Sequence, residues 1–105
     1  MKTVITSSGN HQKANFDLRF GRAAWFCIVD EATGKFSFIE NDQMKATGGA
    51  GTSAAEKMVE LGIEKVISGD FGPKAKELLE KFNIQMVILP DDQQKIKEII
   101  ARLVN

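Results

Sequence analysis

Two glycine-bearing loops are the segments of this sequence best suited to binding a ligand. One runs from Gly48 to Ser53 and the other from Ser68 to Gly72, and each precedes a predicted helix. Glycine lets the backbone approach a ligand closely, and the free amides of a helix N-terminus attract anions. The first loop lacks the Gly-Lys-Ser/Thr ending of a P-loop and the acidic partner of a dinucleotide site. The loops therefore predict an anion site or, in the simpler interpretation, only tight connections into helices.

The segment Arg19–Arg22 adds two arginines that flank an aromatic residue and a glycine. Guanidinium groups beside helix N-termini would complete an anion site, whereas the simpler interpretation is a loop with solvated charges. We expect this segment and the two loops to meet at one rim of a sheet. The candidate ligand-binding residues are Arg19, Phe20, Gly21, Arg22, Gly48, Gly49, Ala50, Gly51, Thr52, Gly69, Asp70, Phe71 and Gly72.

Candidate metal ligands are few, and no catalytic constellation is recognisable. His11 is the only histidine and lies in a polar loop, and Met44 offers a soft thioether to a sulfur-rich metal centre. Cys27, the only cysteine, lies in an apolar run and is interpreted as a small buried hydrophobic residue. One histidine and one cysteine do not support a Ser-His-Asp triad or a CxxC site. The sequence therefore predicts a protein that is not an enzyme.

Composition predicts one globular domain over residues 1–105. The chain is 43% hydrophobic, and its 14 basic residues balance its 14 acidic ones. Nucleic-acid binders usually carry a basic excess, so we expect no nucleic-acid partner. No apolar run has the length of a signal-peptide core or a membrane helix. We therefore expect no membrane association and a cytoplasmic location.

Hydrophobic patterns predict a mixed α/β sheet. Strands are expected at 2–7, 25–29 and 35–40, with a structured loop at 11–22 and a binding loop at 41–51. The capping-box pattern of Ser53 and Glu56 predicts the start of a first helix that ends at Gly62. Further elements are a strand at 66–67, a helix from Pro73 to Asn83, a strand at 86–89 and a helix from Pro90 with the stripe Ile96, Ile99, Ile100 and Leu103. This alternation predicts five strands with helices on both faces.

Several motifs in register resemble the dinitrogenase iron–molybdenum cofactor biosynthesis family, which includes NifX-like proteins and nitrogenase accessory factors. They are Phe20-Gly21-Arg22-Ala23, Val29-Asp30, Glu40-Asn41, Gly48-Gly49-Ala50-Gly51 with Ala54-Ala55-Glu56, and Val66-Ile67-Ser68-Gly69-Asp70-Phe71-Gly72-Pro73. The resemblance implies a three-layer α/β/α ribonuclease H-like fold, with a mixed five-stranded sheet whose second strand is antiparallel. It also implies binding or carriage, without turnover, of an iron–molybdenum cofactor, a precursor or a related molybdenum–sulfur cluster, with cluster-assembly proteins as partners.

The chain departs from many relatives at two places where they carry histidine. Arg19 stands before the Phe-Gly-Arg motif, and residues 42–47 contain no histidine. An alternative function is therefore a small anionic-metabolite sensor or a protein-interaction domain on the same fold. A nuclease or phosphotransferase is disfavoured, because two-metal chemistry needs clustered carboxylates and the first strand carries none.

Overall fold

The computed structural model describes residues 1–43 and 48–104, so the predicted ligand Met44 lies outside the described residues. The strands are β1 (Lys2–Ser7), β2 (Trp25–Asp30), β3 (Phe36–Glu40), β4 (Lys65–Ser68) and β5 (Gln85–Ile88). The helices are α1 (Ala50–Glu60), α2 (Pro73–Lys81) and α3 (Ile96–Leu103). Within these ranges no helix is long and apolar enough to cross a bilayer.

The five strands form one mixed sheet in the order β3-β2-β1-β4-β5. β1, β4 and β5 run parallel to one another. The helix α1 connects β3 to β4 and the helix α2 connects β4 to β5, as parallel strands require. β2 runs antiparallel to both β1 and β3, and a turn stabilised by the Gly34 N to Asp30 O hydrogen bond of 2.8 Å joins β2 to β3. The predicted mixed sheet with an antiparallel second strand is confirmed.

Alternate residues of the central strands supply two hydrophobic cores, one on each face of the sheet. Val4 and Val66 pack with α1 and α2 on one face. Ile5 and Ile67 pack with α3 on the other, where the predicted stripe of that helix is buried or half-buried. The helices therefore cover both faces, which confirms the three-layer α/β/α architecture.

The helix α1 begins at Ala50, so the predicted start at the Ser53 capping box is wrong. The amide of Ser53 already donates to the carbonyl of Gly49 at 2.9 Å, which places Ser53 inside the first turn. The chain enters the helix through Gly49, whose φ of 73° is in the left-handed region. The predicted helix ends hold, since Gly62 and Asn83 both have positive φ values and Pro73 occupies the first turn of α2.

The helix α3 begins at Ile96, so the predicted start at Pro90 is also wrong. The backbone before α3 bonds instead to the 12–16 segment: Phe16 N donates to Gln94 O at 2.9 Å and Ile96 N donates to Ala14 O at 2.9 Å. These bonds flank an isolated bridge between Asn15 and Lys95, and the extended backbone at Lys95 excludes a helix before Ile96. The helix starts only where the Lys95 amide donates to the Glu98 carboxylate at 2.8 Å.

Candidate functional site

Three segments that are distant in sequence meet at the rim where β1 and β4 end. The segment Arg19–Arg22, which we call the arginine corner, lies beside the loop that follows β4 and the loop that precedes α1. Together they form a shallow cleft of about 350 Å³, which we call the loop cleft. Its lining residues are Arg19, Phe20, Gly21, Arg22, Gly49, Ala50, Gly51, Asp70, Phe71 and Gly72. The expected meeting of the three segments is therefore present in the structure.

The remaining predicted binding residues lie outside the loop cleft. Thr52 lines an adjoining pocket of about 260 Å³, which shares Gly49, Gly51, Phe71 and Gly72 with the cleft and extends to Lys74. Gly48 is exposed beside it. Gly69 lies behind the cleft, where a Cβ atom would come within 2.8 Å of the carbonyl oxygen of Leu18. The glycine at position 69 is therefore required by protein packing.

Backbone pairing holds the arginine corner against the end of β4. Gly69 N donates to Leu18 O at 3.0 Å, and Phe20 N donates to Asp70 O at 3.1 Å. The Phe20 ring is buried below the cleft, with its centroid 5.3 Å from that of Phe71 and 6.1 Å from that of Phe26. Because these rings belong to the core under α1 and α2, the floor of the cleft is anchored to the sheet.

Asn41 fixes the other side of the arginine corner. Its side chain is buried, and Nδ2 donates to the carbonyls of Gly21 at 2.9 Å and Ala23 at 2.8 Å. Its Oδ1 accepts from the amide of Gln43 at 3.1 Å. The side chain therefore satisfies two carbonyls of a non-regular segment, which would otherwise be costly to bury. Asn41 begins the predicted binding loop 41–51 and belongs to a motif of the family resemblance, but its contact with the arginine corner could not be predicted from the sequence.

The helices α1 and α2 both begin at the loop cleft without a side-chain cap. Neither N-cap glycine can supply one, and neither helix has an acidic residue in its first turn. A Cβ atom built at Gly49 or Gly72 would meet nothing within 4 Å, so both turns border open space. The amides of Gly51 and Thr52 in α1 and of Lys74 and Ala75 in α2 are in the first turns, which have no intrahelical acceptor. This geometry favours an anion.

The charge of the loop cleft is more balanced than two arginines suggest. The Arg19 guanidinium bonds Asp17, with Nε and Nη2 each 3.2 Å from a carboxylate oxygen, and this hydrogen bond together with charge attraction raises the pKa of Arg19. The Asp70 carboxylate also lines the cleft and accepts from the amide of Gly72 at 3.2 Å. These two carboxylates offset part of the positive charge of the arginines, so the backbone amides are a necessary part of an anion site here.

A buried hydroxyl pair supports the cleft from within the sheet. Thr6 donates to the carbonyl of Asp17 at 2.5 Å, and its oxygen lies 3.0 Å from the Ser68 hydroxyl. Both side chains are buried at the ends of β1 and β4. They fix the segment before the arginine corner to the central strands, and no spacing in the sequence connects positions 6, 17 and 68.

The structure brings no cluster of metal-binding side chains together in the part of the chain that it describes. No three His, Cys, Asp or Glu residues of that part converge as ligands, and the candidate His11 is exposed and does not line the loop cleft. Cys27 is fully buried in β2, where loss of hydration raises the pKa of its thiol to about 12.

Another pocket of about 390 Å³ lies between the end of β3 and α1. Four carboxylates, those of Glu40, Asp42, Glu56 and Glu60, line it beside one lysine, Lys57. That charge repels an anion, so the pocket does not compete with the loop cleft as an anion site.

Solved structures of the same fold include a protein with a closely similar backbone. The apo form of the orange protein from Desulfovibrio gigas is 28% identical with a TM-score of 0.89, and the match covers 98% of this chain and 86% of that one. The NMR structure of a Thermotoga protein provisionally assigned as NifB, of the DUF35 family, is 25% identical with a TM-score of 0.77 and coverages of 95% and 84%. No curated protein matches the sequence significantly. The sequence model of the dinitrogenase iron-molybdenum cofactor family matches residues 1–105, and the chain therefore belongs to this family.

Proposed function

We propose that this protein binds and carries an anionic metal–sulfur cluster, such as an iron–molybdenum cofactor or its precursor, in the loop cleft and without chemical turnover. The observation that carries the proposal is the convergence of two uncapped helix N-termini on one cleft. Membership of the dinitrogenase iron-molybdenum cofactor family supports a cluster of this class as the cargo.

The cleft suits a compact anion held by hydrogen bonds and charge. Free amides at the starts of α1 and α2 point to the rim, and the guanidinium groups of Arg19 and Arg22 lie at the arginine corner. Glycine at 49 and 72 leaves the backbone open to a ligand of irregular shape. A cluster rich in sulfide carries negative charge on its outer atoms, which amide and guanidinium donors can contact directly.

The chemistry of the lining supports carriage rather than turnover. The only thiol, Cys27, and the only imidazole, His11, both lie outside the cleft. A ligand held by amides and arginines keeps its own metal–sulfur bonds and can leave intact. The cleft is shallow, which allows transfer to a cluster-assembly partner without opening of the fold.

Anaerobic loading tests the proposal. We would incubate the protein with tetrathiomolybdate and ferrous iron, desalt it, and measure molybdenum by mass spectrometry and the bound chromophore by absorption. We expect molybdenum to co-elute with the protein, Arg22→Gln to lower the retained amount, and Arg102→Gln, in the last turn of α3, to leave it unchanged. Failure of molybdenum to co-elute, or equal loss in both variants, would contradict the proposal.

A second candidate is a sensor of a small anionic metabolite, and the lack of thiol and imidazole ligands at the cleft favours it. A ligand that binds only the native state raises the melting temperature. We would therefore compare thermal unfolding with tetrathiomolybdate, molybdate, phosphate and nucleotides. A larger rise with phosphate or a nucleotide than with tetrathiomolybdate would favour the sensor.

A further inference from the structure

The strand β3 forms one edge of the sheet, and its outer side pairs with no other strand in the described part of the chain. At its ends, Asp30 N donates to Lys35 O at 2.9 Å and Asn41 N donates to Ala24 O at 3.0 Å. Lys35 and Asn41, which flank β3, are thus hydrogen-bonded toward β2. In an antiparallel pair every second residue of a strand bonds to its neighbour, so the odd-numbered residues of β3 bond to β2 and the even-numbered ones do not. The amides and carbonyls of Phe36 and Phe38 therefore point outward, away from β2.

This edge lacks two of the features that usually block edge-to-edge pairing, a bulge and a proline. Its register with β2 is continuous from Val29 opposite Phe36 to Trp25 opposite Glu40, so it contains neither a bulge nor a proline. The Phe36 side chain is 40% exposed, and its ring lies edge-on to that of Phe38 with centroids 6.0 Å apart. A partner strand would cover both rings.

We propose that a second copy of this chain pairs its own β3 antiparallel to this one, which joins two five-stranded sheets into one continuous sheet. The two-fold axis passes between Ser37 of one copy and Ser37 of the other. In that register Phe36 of each copy lies opposite Phe38 of the other, and their outward amides and carbonyls form the new hydrogen bonds. All four rings then lie on the same face as α3, where cross-strand aromatic pairs stabilise a sheet.

The edge is self-complementary in charge. Lys35 stands at the start of the strand and Glu40 at its end. Antiparallel pairing brings the positive end of one strand beside the negative end of the other, whereas parallel pairing would bring like charges together. This complementarity favours a second copy over an unrelated strand. Because the strands run in opposite directions, the two loop clefts open at opposite ends of the joined sheet, so ligand binding does not depend on the dimer.

Disulfide trapping tests the register. At the two-fold axis Ser37 forms a pair without backbone hydrogen bonds, in which Cβ atoms come close enough for a disulfide. We expect Ser37→Cys to form a covalent dimer under mild oxidation on a non-reducing gel. Lys35→Cys, which faces Ile39 of the second copy, is the matched control and should stay monomeric. Cys27 is buried and does not interfere. Equal trapping of both variants, or none, overturns the proposed register.

Sedimentation equilibrium of the wild-type protein tests the dimer itself. We expect a monomer–dimer equilibrium that shifts to dimer as concentration rises, and Phe36→Lys should raise the dissociation constant at least about tenfold. Phe82→Lys is the matched control, since Phe82 is also an exposed phenylalanine, 48% exposed, but lies at the end of α2. A wild-type protein that sediments only as monomer, or equal effects of both lysines, overturns the proposal whatever the outcome of cluster loading.

Discussion

Gly21 lies directly against Gly51 at the start of α1. A Cβ atom built at Gly21 would come within 2.7 Å of the Gly51 nitrogen and 2.8 Å of its Cα atom. Gly51 in turn faces the Ala75 side chain of α2, 3.4 Å from where its own Cβ would lie. The arginine corner and both helix N-termini are therefore packed against one another through glycine, and this packing sets the width of the loop cleft.

Replacing Gly21 with alanine should separate the arginine corner from α1. The added methyl group meets backbone atoms rather than a flexible side chain, so we expect a loss of about 1 to 3 kcal/mol in the free energy of unfolding. Urea denaturation measures this loss. Gly48→Ala is the control, because a Cβ atom there meets nothing within 4 Å. Equal stability of the two variants would show that the backbone of α1 can move to accept a methyl group at position 21.

Replacing Asn41 with alanine should loosen the same corner from the opposite side. The carbonyls of Gly21 and Ala23 lose the donor that they share, and we expect a stability loss of about 1 to 3 kcal/mol together with weaker retention of tetrathiomolybdate. Denaturation and the loading assay measure the two effects. Gln43→Ala, at an exposed neighbouring position, should change neither. Unaltered retention in a destabilised Asn41→Ala protein would limit Asn41 to a role in folding.

The sequence could predict the strands and the meeting of the loops because both follow from local patterns and sheet direction. Apolar runs mark β1, β2 and β4, and loops that follow parallel strands must reach the same rim. The capping-box pattern at Ser53 misplaced the start of α1, because glycine-rich residues 48–51 have a loop composition. The chain becomes helical from Ala50 onward, directly after the left-handed turn at Gly49.

Contacts between distant segments could not be predicted in the same way. The start of α3 is decided by hydrogen bonds from residues 94–97 to the 12–16 segment, and no local signal at Pro90 reports them. The pairing of Arg19 with Asp17 likewise changes the charge of the cleft without a recognisable motif. Sequence patterns therefore predicted where the candidate site lies. The balance of positive and negative side chains at the site could be seen only in the structure.

Cys27 should be unreactive in the native protein. Burial raises the pKa of its thiol to about 12, so thiolate is scarce at pH 8 and the sulfur is out of reach of reagents. We expect no labelling by iodoacetamide at pH 8 in buffer and complete labelling in denaturant, as measured by mass spectrometry. Rapid native labelling would indicate that β2 opens readily, and it would make Cys27 a possible cluster ligand.

At the end of the sheet opposite the loop cleft, Glu31 makes stability depend on pH. Burial raises the pKa of this carboxyl, but the hydrogen bond from Thr3 and the ion pair with Lys65, at 2.9 Å, outweigh burial and hold the pKa below its ordinary value. The ionised form is therefore favoured by folding. Its contribution is complete above the unfolded pKa of about 4.3 and is lost as pH falls through the lower folded value.

Glu31→Gln should therefore be less stable than the wild type at pH 7, by about 1 to 2 kcal/mol for a charged hydrogen bond lost. The difference should shrink as the pH falls below about 4, because the wild-type carboxyl is then protonated as well. Urea denaturation at a series of pH values measures it, with Glu77→Gln on the exposed face of α2 as the control. A stability difference that stays constant down to acid pH would show that the ion pair with Lys65 does not stabilise the fold. Retention of tetrathiomolybdate should be the same in both variants, because Glu31 and the loop cleft lie at opposite ends of the strands.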